Sequence, residues 1–533
     1  MDRFALTRKR QAEAAIIDVQ QDFIATYHAV ADLRHLARSH AGVVDGQTIV
    51  ALEYLLQSKA FEKARQAAFL FREAASVLTD MAAMPGGNGL SSKALAALIG
   101  LLSKLHGSAH RGVAEALGAL PVGIAGPRPT CVKASLAPKR SWAQLLAADR
   151  LRPCGSPRYI GRSLVSPIAD GNRLLVVKLA KQTDTHAGLA NEIRWMETLQ
   201  EPSYRVNCRF HIPRPLRIGN QPLFRINRLP LAPPAALDRH PDRLAIAFVA
   251  HRDYFVYANH PNVNGDMASE ILGRNAFLMG WLAAKGVIHD APIPLFHNRT
   301  QRLRREDQGR YQWYRAGRLD QWLDSCAFPN LGMSGLRDFE HLVPLSGSGH
   351  ALYRHIGSHF LGLLLLAGSH FRCRDKSRFG LDANGRPIDA RHLFDQGLLK
   401  TMVSTIFENY HRGFTGGSTC AELPFNLGHL VDRMIEEMGV DRYMTELLRR
   451  TDQQALTERQ FLAFLKGRGY KDEQLIGLKR GEKDMLIVSG PHLGDFNRQI
   501  CLPEMIEAVA AMSAVCVAGH FTKNATRGVS TPN

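Results

Sequence analysis

LLVVKLAK (174–181) is the stretch on which the fold of this 533-residue chain turns. Leu174, Leu175, Val176 and Val177 read as a buried strand, and Lys178 interrupts them before Leu179 and Ala180 resume the pattern. A lysine inside such a strand costs desolvation free energy unless a carboxylate meets it. NEIRWMETL (191–199) offers that carboxylate. Glu192 shares a helical face with Leu189, Met196 and Leu199, three, four and seven residues away, and Glu197 is the rival partner.

Outward from this pair the chain presents further chemistry in a fixed order. Upstream lies GSPRYIGRS (155–163), where Gly155 and Gly161 allow close backbone approach and Arg158 and Arg162 suit an anion, without the spacing G-x-G-x-x-G. Downstream, IPRPLRIGNQPLFRINRL (212–229) reads as two strands about a Gly-Asn-Gln-Pro turn, followed by the Pro-rich LPLAPPAA (229–236). A helix over 266–285 leads to GVIHD (286–290), then FHN (296–298), then GLRDFEHL (335–342).

Lysine, helix glutamate, His-Asp, asparagine and Asp-Phe-Glu, in that order, resemble the layout of the protein-kinase-like superfamily over about 155–345. The resemblance implies ATP and Mg²⁺ as cofactors. Lys178 would contact the phosphates, held by Glu192, under a loop containing Gly155, Arg158 and Gly161. The strand ending at Arg228 would match the hinge between two lobes, with its backbone on the adenine. Asp290 would orient the acceptor, His289 would brace the loop or simply be a buried histidine, and Asn298 and Asp338 would hold the metal. Two departures stand out. Asn298 lies eight residues after Asp290, where the family has five, and Glu340 replaces a glycine. Either the loop is enlarged, or His297 and Asn298 act in place of Asp290.

The expected function is therefore an ATP- and Mg²⁺-dependent kinase-like transferase. Phosphoryl transfer leads, and adenylyl or glutamyl transfer in the same pocket stands as a variant. A second resemblance, to template-independent siderophore synthetases, rests on His297-Asn298, on Arg337-Asp338-Phe339 and on Lys376-Ser377-Arg378-Phe379-Gly380, with the last stretch out of that family's order. It implies a carboxylate–amine ligase. A third reading keeps the fold without catalysis, as a pseudokinase-like binding protein.

Bulk properties narrow the partners. A net charge of +18 favours an anionic partner, either a nucleotide or an acidic or protein acceptor. No nucleic-acid-reading module is legible, which argues against nucleic acid. The arginine-rich 299–310 reads as a solvated hairpin or a contact for an acidic substrate, and Asp320 and Asp324 read as surface groups. His106 and His110 read as a solvated helix face. Eight scattered cysteines, without a CxxC, point to reduced and mostly buried thiols. The apolar run FLGLLLLAG (360–368) falls far short of the about 20 residues a span needs. The charged start MDRFALTRKRQAEAAII (1–17) does not read as a signal peptide, so a cytoplasmic protein is expected.

With 45% hydrophobic residues the chain can bury a substantial core. The expected class is α+β, in four parts. A helical domain spans 1–145, a small antiparallel sheet lobe 146–235, a mainly helical catalytic lobe 236–475, and a tail with one more strand 476–533.

Overall fold

The computed structural model describes most of residues 3–527. Outside the described residues lie 1–2, 19–21, 62–65, 85–88, 125, 128–136, 170, 181–185, 219–220, 235–242, 259, 261–262, 293–328, 346–348, 375–395, 418–421, 439–474, 479–484, 489–502 and 528–533. The class is α+β, as expected: a helical N-terminal region precedes a small sheet and a larger helical assembly.

The N-terminal region consists of α1 (Arg3–Ile17), α2 (Phe23–Ser39), α3 (Gly46–Gln57), α4 (Ala67–Ala82), α5 (Leu90–Leu102) and α6 (Gly107–Gly118). The helical stretch read from 14 onward divides where Asp22 caps α2 through its contact with Ile24 N. Asp45 caps α3, accepting from Gln47 N and Thr48 N. Leu70, Phe71, Ala74, Ala75 and Leu78 of α4 bury the apolar stripe that the sequence pattern announces. His106 is exposed and pairs with Glu507, but His110 is buried, so the two do not form a solvated face. Burial pushes the His110 imidazole down to about 4.

Next come β1 (Lys139–Ser141), α7 (Trp142–Ala148), β2 (Arg158–Ile160), β3 (Ser163–Pro167), β4 (Arg173–Leu179), α8 (His186–Thr198), β5 (Arg214–Pro215), β6 (Leu223–Asn227) and β7 (Arg243–His251). The sheet order is β1-β6-β7-β4-β3-β2, with β5 also paired to β7. All pairings are antiparallel except β1 with β6. β5 and β6 each pair with β7, and an isolated Ile218–Gln221 bridge lies in the segment between them. β7 (RLAIAFVAH) lies where the sequence reading turned helical, and it is central, not peripheral. Its continuous apolar run suits a strand flanked on both sides and covered on both faces. Alternation along β4 sends Leu175, Val177 and Leu179 to one core and Val176 to the other, on which α8 packs.

The helical lobe follows with α9 (Gly265–Ala284), β8 (Val287–His289), β9 (Leu331–Gly332), β10 (Gly335–Leu336), β11 (Leu342–Pro344), α10 (Gly349–Arg372), β12 (Cys373–Arg374), α11 (Gln396–Thr415) and α12 (Leu427–Met438). α9 and α11 cross in very close contact. A Cβ at Gly280 would overlap the Tyr410 carbonyl, and one at Gly413 would overlap the Phe277 carbonyl. The tail strand appears as β14 (Met485–Val488), between β12 and β13 (Leu475–Leu478).

A last helix that the sequence reading did not place, α13 (Pro503–Arg527), packs on α6, α10 and α11. Glu507 ties it to α6, accepting from Gly107 N at 2.6 Å. Among the described residues, its Glu504–Lys523 stretch is the one long and apolar enough to cross a membrane, and 67% of it is buried inside the structure as a core helix is.

Candidate functional site

The site is built on β4. Register pairs Lys178 with Ser163 on one side and Ile246 on the other, so its ammonium leaves the sheet toward α8. Lys178 and Glu192 are both buried, with Nζ and Oε2 2.8 Å apart. Glu192 is the partner. The rival, Glu197, pairs at the surface with Arg217. On its other side Lys178 Nζ donates to Asp338 Oδ1 at 3.1 Å, and a Glu340 oxygen lies 3.6 Å away. Arg162, in the turn joining β2 and β3, completes the cluster by pairing with Glu340. Gly161 beside it has φ +57°, the left-handed backbone that this tight turn requires.

The electrostatics follow from this packing. Burial works to depress the Lys178 ammonium, but Asp338, Glu192 and Glu340 overcome it, and the net shift is upward. Burial raises Asp338, yet Lys178, Arg337 and His341 hold it well below the usual carboxylate range. Burial dominates at Glu192 and carries it upward against the pull of Lys178. Glu340 ends below its ordinary value, because Lys178 and Arg162 outweigh its burial.

Asp338 itself has φ +49° and ψ +62°, a left-handed conformation that aspartate tolerates better than most residues. Phe339 is buried and stacks on Phe210, with centroids 6.5 Å apart and rings 5° from parallel. Arg337 sits over Phe255 at 5.2 Å, Tyr254 at 5.7 Å and Tyr257 at 5.8 Å, gripped by the segment that follows β7. α8 is clamped to the same loop by Asn191 Nδ2, which donates to the Glu340 and Leu342 carbonyls at 2.8 and 3.1 Å.

A chain of hydrogen bonds fixes the approach to Asp338. The Tyr410 hydroxyl meets His359 Nδ1 at 2.8 Å, and His359 Nε2 meets the His289 carbonyl at 2.8 Å. His289 Nε2 in turn meets the Arg337 carbonyl at 2.9 Å, while its Nδ1 accepts from Ala291 N. These partners define both tautomers: each ring donates from Nε2 and accepts at Nδ1. His289 is thus both buried and a brace, so the two sequence alternatives describe one residue. Asp290 N donates to the His341 carbonyl at 3.0 Å, which sets Asp290 beside the loop that carries Asp338.

Other predicted residues lie elsewhere. Asn298 and His297, with 299–310, Asp320, Asp324 and 376–380, fall outside the described residues. Gly155 and Arg158 are exposed before and at the start of β2, and the basic residue that reaches the cluster is Arg162. Arg228 is exposed just beyond β6, with φ +50°. β7 separates β6 from β4, and the chain passes to α9 through 252–264. Tyr257 of that link forms an isolated bridge with Gly332.

Sequence reasoning missed Asn330. It is buried, its Nδ2 donates to the Ala291 carbonyl at 2.9 Å, and its own carbonyl accepts from Arg337 N at 2.9 Å. Together with Asn330 N to the Pro292 carbonyl at 3.0 Å, these bonds hold Asn330 against Ala291 and Pro292, beside Asp290. The signal was present as Asn330 immediately before a Gly-containing hairpin that ends at Asp338.

Ligand atoms of Asp338, Glu340 and His341 all lie within 4.8 Å of one another. The two carboxylates supply oxygen donors of the kind a hard divalent cation such as Mg²⁺ takes, whereas the imidazole suits a softer metal. Asp338 and Glu340 therefore fit the metal the resemblance implies.

Fold and site together are compatible with an atypical kinase-like enzyme, a transferase at the coarse level. No family model matches the chain. Over 252 residues, 44% of the chain, it is 24% identical to the calmodulin-dependent glutamylase SidJ of Legionella pneumophila. The match spans 28% of the length of that relative. The siderophore-synthetase resemblance gains no support from this likeness.

Proposed function

We propose that the chain is an ATP- and Mg²⁺-dependent transferase whose nucleotide site is the cleft around Lys178. One observation carries the reading: a buried ammonium held at once by Glu192 at 2.8 Å and Asp338 at 3.1 Å. Residues 160 positions apart are held together there, at the expense of burying charges that an inert core would avoid.

Lys178 and Arg162 meet phosphate oxygens. Asp338, Glu340 and His341 hold the metal, with Asn330 at the head of the same hairpin. The metal, when bound, neutralises phosphate charge. Asp290 orients the acceptor and receives its proton, while His289 keeps the Asp338 segment in place. Phosphoryl transfer is the first reading, on the order of the site residues. Glutamyl transfer is the second, favoured by the likeness to a glutamylase, and that relative's dependence on calmodulin adds a protein activator to it.

The test is ATP turnover by the purified chain with and without Mg²⁺. Mass spectrometry of protein acceptors, with glutamate present, then looks for phosphoryl, adenylyl or glutamyl additions. Metal-dependent turnover that is lost in Asp338→Ala and Asn330→Ala is expected. Turnover unchanged in folded Asp338→Ala overturns the assignment.

A further inference from the structure

The loop that carries Asp338 also holds an imidazole that an ion bound only through oxygen does not call for. His341 presents Nε2 3.7 Å from Glu340 Oε1. Its backbone is fixed from several sides. His341 N donates to the Asp338 carbonyl at 3.0 Å, and the His341 carbonyl accepts from Asp290 N at 3.0 Å. Asn191 of α8 holds the carbonyls on either side of it, those of Glu340 and Leu342. The other imidazole nearby, His289, has its ring centroid 6.1 Å away and commits Nε2 to the Arg337 carbonyl and Nδ1 to Ala291 N.

The two carboxylates are each half engaged. Asp338 Oδ1 accepts from Lys178, and Glu340 Oε1 pairs with Arg162. Asp338 Oδ2 and Glu340 Oε2 are the oxygens left to a metal. Two side-chain cations thus compete for the negative charge that a hard, strongly hydrated ion such as Mg²⁺ requires before it gives up water. A nitrogen ligand is not weakened in this way. Imidazole adds little to Mg²⁺ and more to ions of the first transition series, while carboxylates and water still suit Mn²⁺ among them.

We propose that Asp338, Glu340 and His341 form a site that takes Mn²⁺ in preference to Mg²⁺, and that His341 sets the preference. Mg²⁺ is the weaker occupant. The proposal deepens the transferase reading, and rests on it for the metal's role, by assigning the ion that this site selects.

The test uses the metal-stripped, full-length chain without nucleotide. Free Mn²⁺ is followed by its solution electron paramagnetic resonance signal as MnCl₂ is added and then displaced with MgCl₂. Binding of Mn²⁺ is expected, with Mg²⁺ displacing it only at a concentration at least tenfold higher. Electron spin echo envelope modulation of the bound ion should show a directly coordinated nitrogen. That modulation should vanish in His341→Ala, with Mn²⁺ affinity falling at least tenfold. It should vanish also in His341→Asp, which restores an oxygen ligand, narrows the preference over Mg²⁺ at least threefold and guards against a folding failure of the alanine variant. The proposal is overturned if no Mn²⁺ binds, if the bound ion has no nitrogen ligand, or if Mg²⁺ displaces it at equal concentration. Nitrogen coordination that persists in either folded variant overturns it too. Because no nucleotide is present, failure to bind ATP leaves this result standing, and a Mg²⁺-selective site sinks the metal assignment without touching the nucleotide cleft.

Discussion

Replacing Lys178 by methionine keeps the length of the side chain and removes its charge, which isolates what the ammonium contributes. Glu192 has no exposed side-chain surface and Lys178 only 4%, so water cannot substitute for the lost partner. Its second carboxylate oxygen, Oε1, already lacks a hydrogen-bond donor among the described residues. Removing one member of such a buried pair costs about 3–5 kcal/mol, mostly the penalty of the stranded charge. The loss is therefore assigned to Glu192, and the double variant Lys178→Met/Glu192→Gln should recover at least half of it. Stability is read by urea denaturation at pH 7.5 and nucleotide binding by calorimetry. Both variants should fail to bind ATP, while only the single variant is strongly destabilised. A single variant as stable as the parent, or a double variant no better than the single one, refutes the reasoning.

Three further outcomes follow from other parts of the structure. Lys178 and Arg162 face three carboxylates, Glu192, Asp338 and Glu340, so Glu340→Gly should raise affinity for metal-free ATP about tenfold, or about 1.4 kcal/mol; unchanged affinity in calorimetry removes Glu340 from the phosphate path. Burial holds His359 down to about 3, well under its value in an unfolded chain. Its contribution to stability is thus complete above about pH 6.5 and declines as pH falls toward 3, by up to about 1.4 kcal/mol per pH unit. His359→Gln should flatten the stability profile between pH 6.5 and pH 4, and a profile of unaltered slope contradicts this. Gly413→Ala pushes a methyl group into the Phe277 carbonyl and should destabilise the α9–α11 contact by about 1–3 kcal/mol; an unaffected thermal midpoint shows that the helices separate freely.

The parts of the fold that were legible in the sequence are those where chemistry breaks a pattern. Lys178 interrupts an apolar strand and Glu192 interrupts an apolar helix face, and each interruption requires the other. Asp338 was legible from its short Arg-Asp-Phe-Glu context. β7 was not, because Leu244–Ala250 is an unbroken apolar run and carries no period that separates strand from helix. Asn330 was not legible, because bonds to the Ala291 and Pro292 carbonyls bring a residue forty positions downstream beside Asp290, and no local pattern announces that. Arg162 was visible as a cation, but its partner Glu340 was not, since nothing local links residues 178 positions apart. The helix over Pro503–Arg527 is apolar on nearly all sides through its middle, so no contrast of faces marks it in the sequence, and it gains its definition from burial against α6 and α10.

Calorimetric titration of the intact chain with ATP, with and without Mg²⁺, tests the central claim most directly. Binding at one site, strengthened by Mg²⁺ in the parent chain and no longer metal-sensitive in Asp338→Ala, is the predicted result. Absence of ATP binding in a folded, Mg²⁺-supplied sample contradicts the nucleotide cleft, and with it the role given to Lys178.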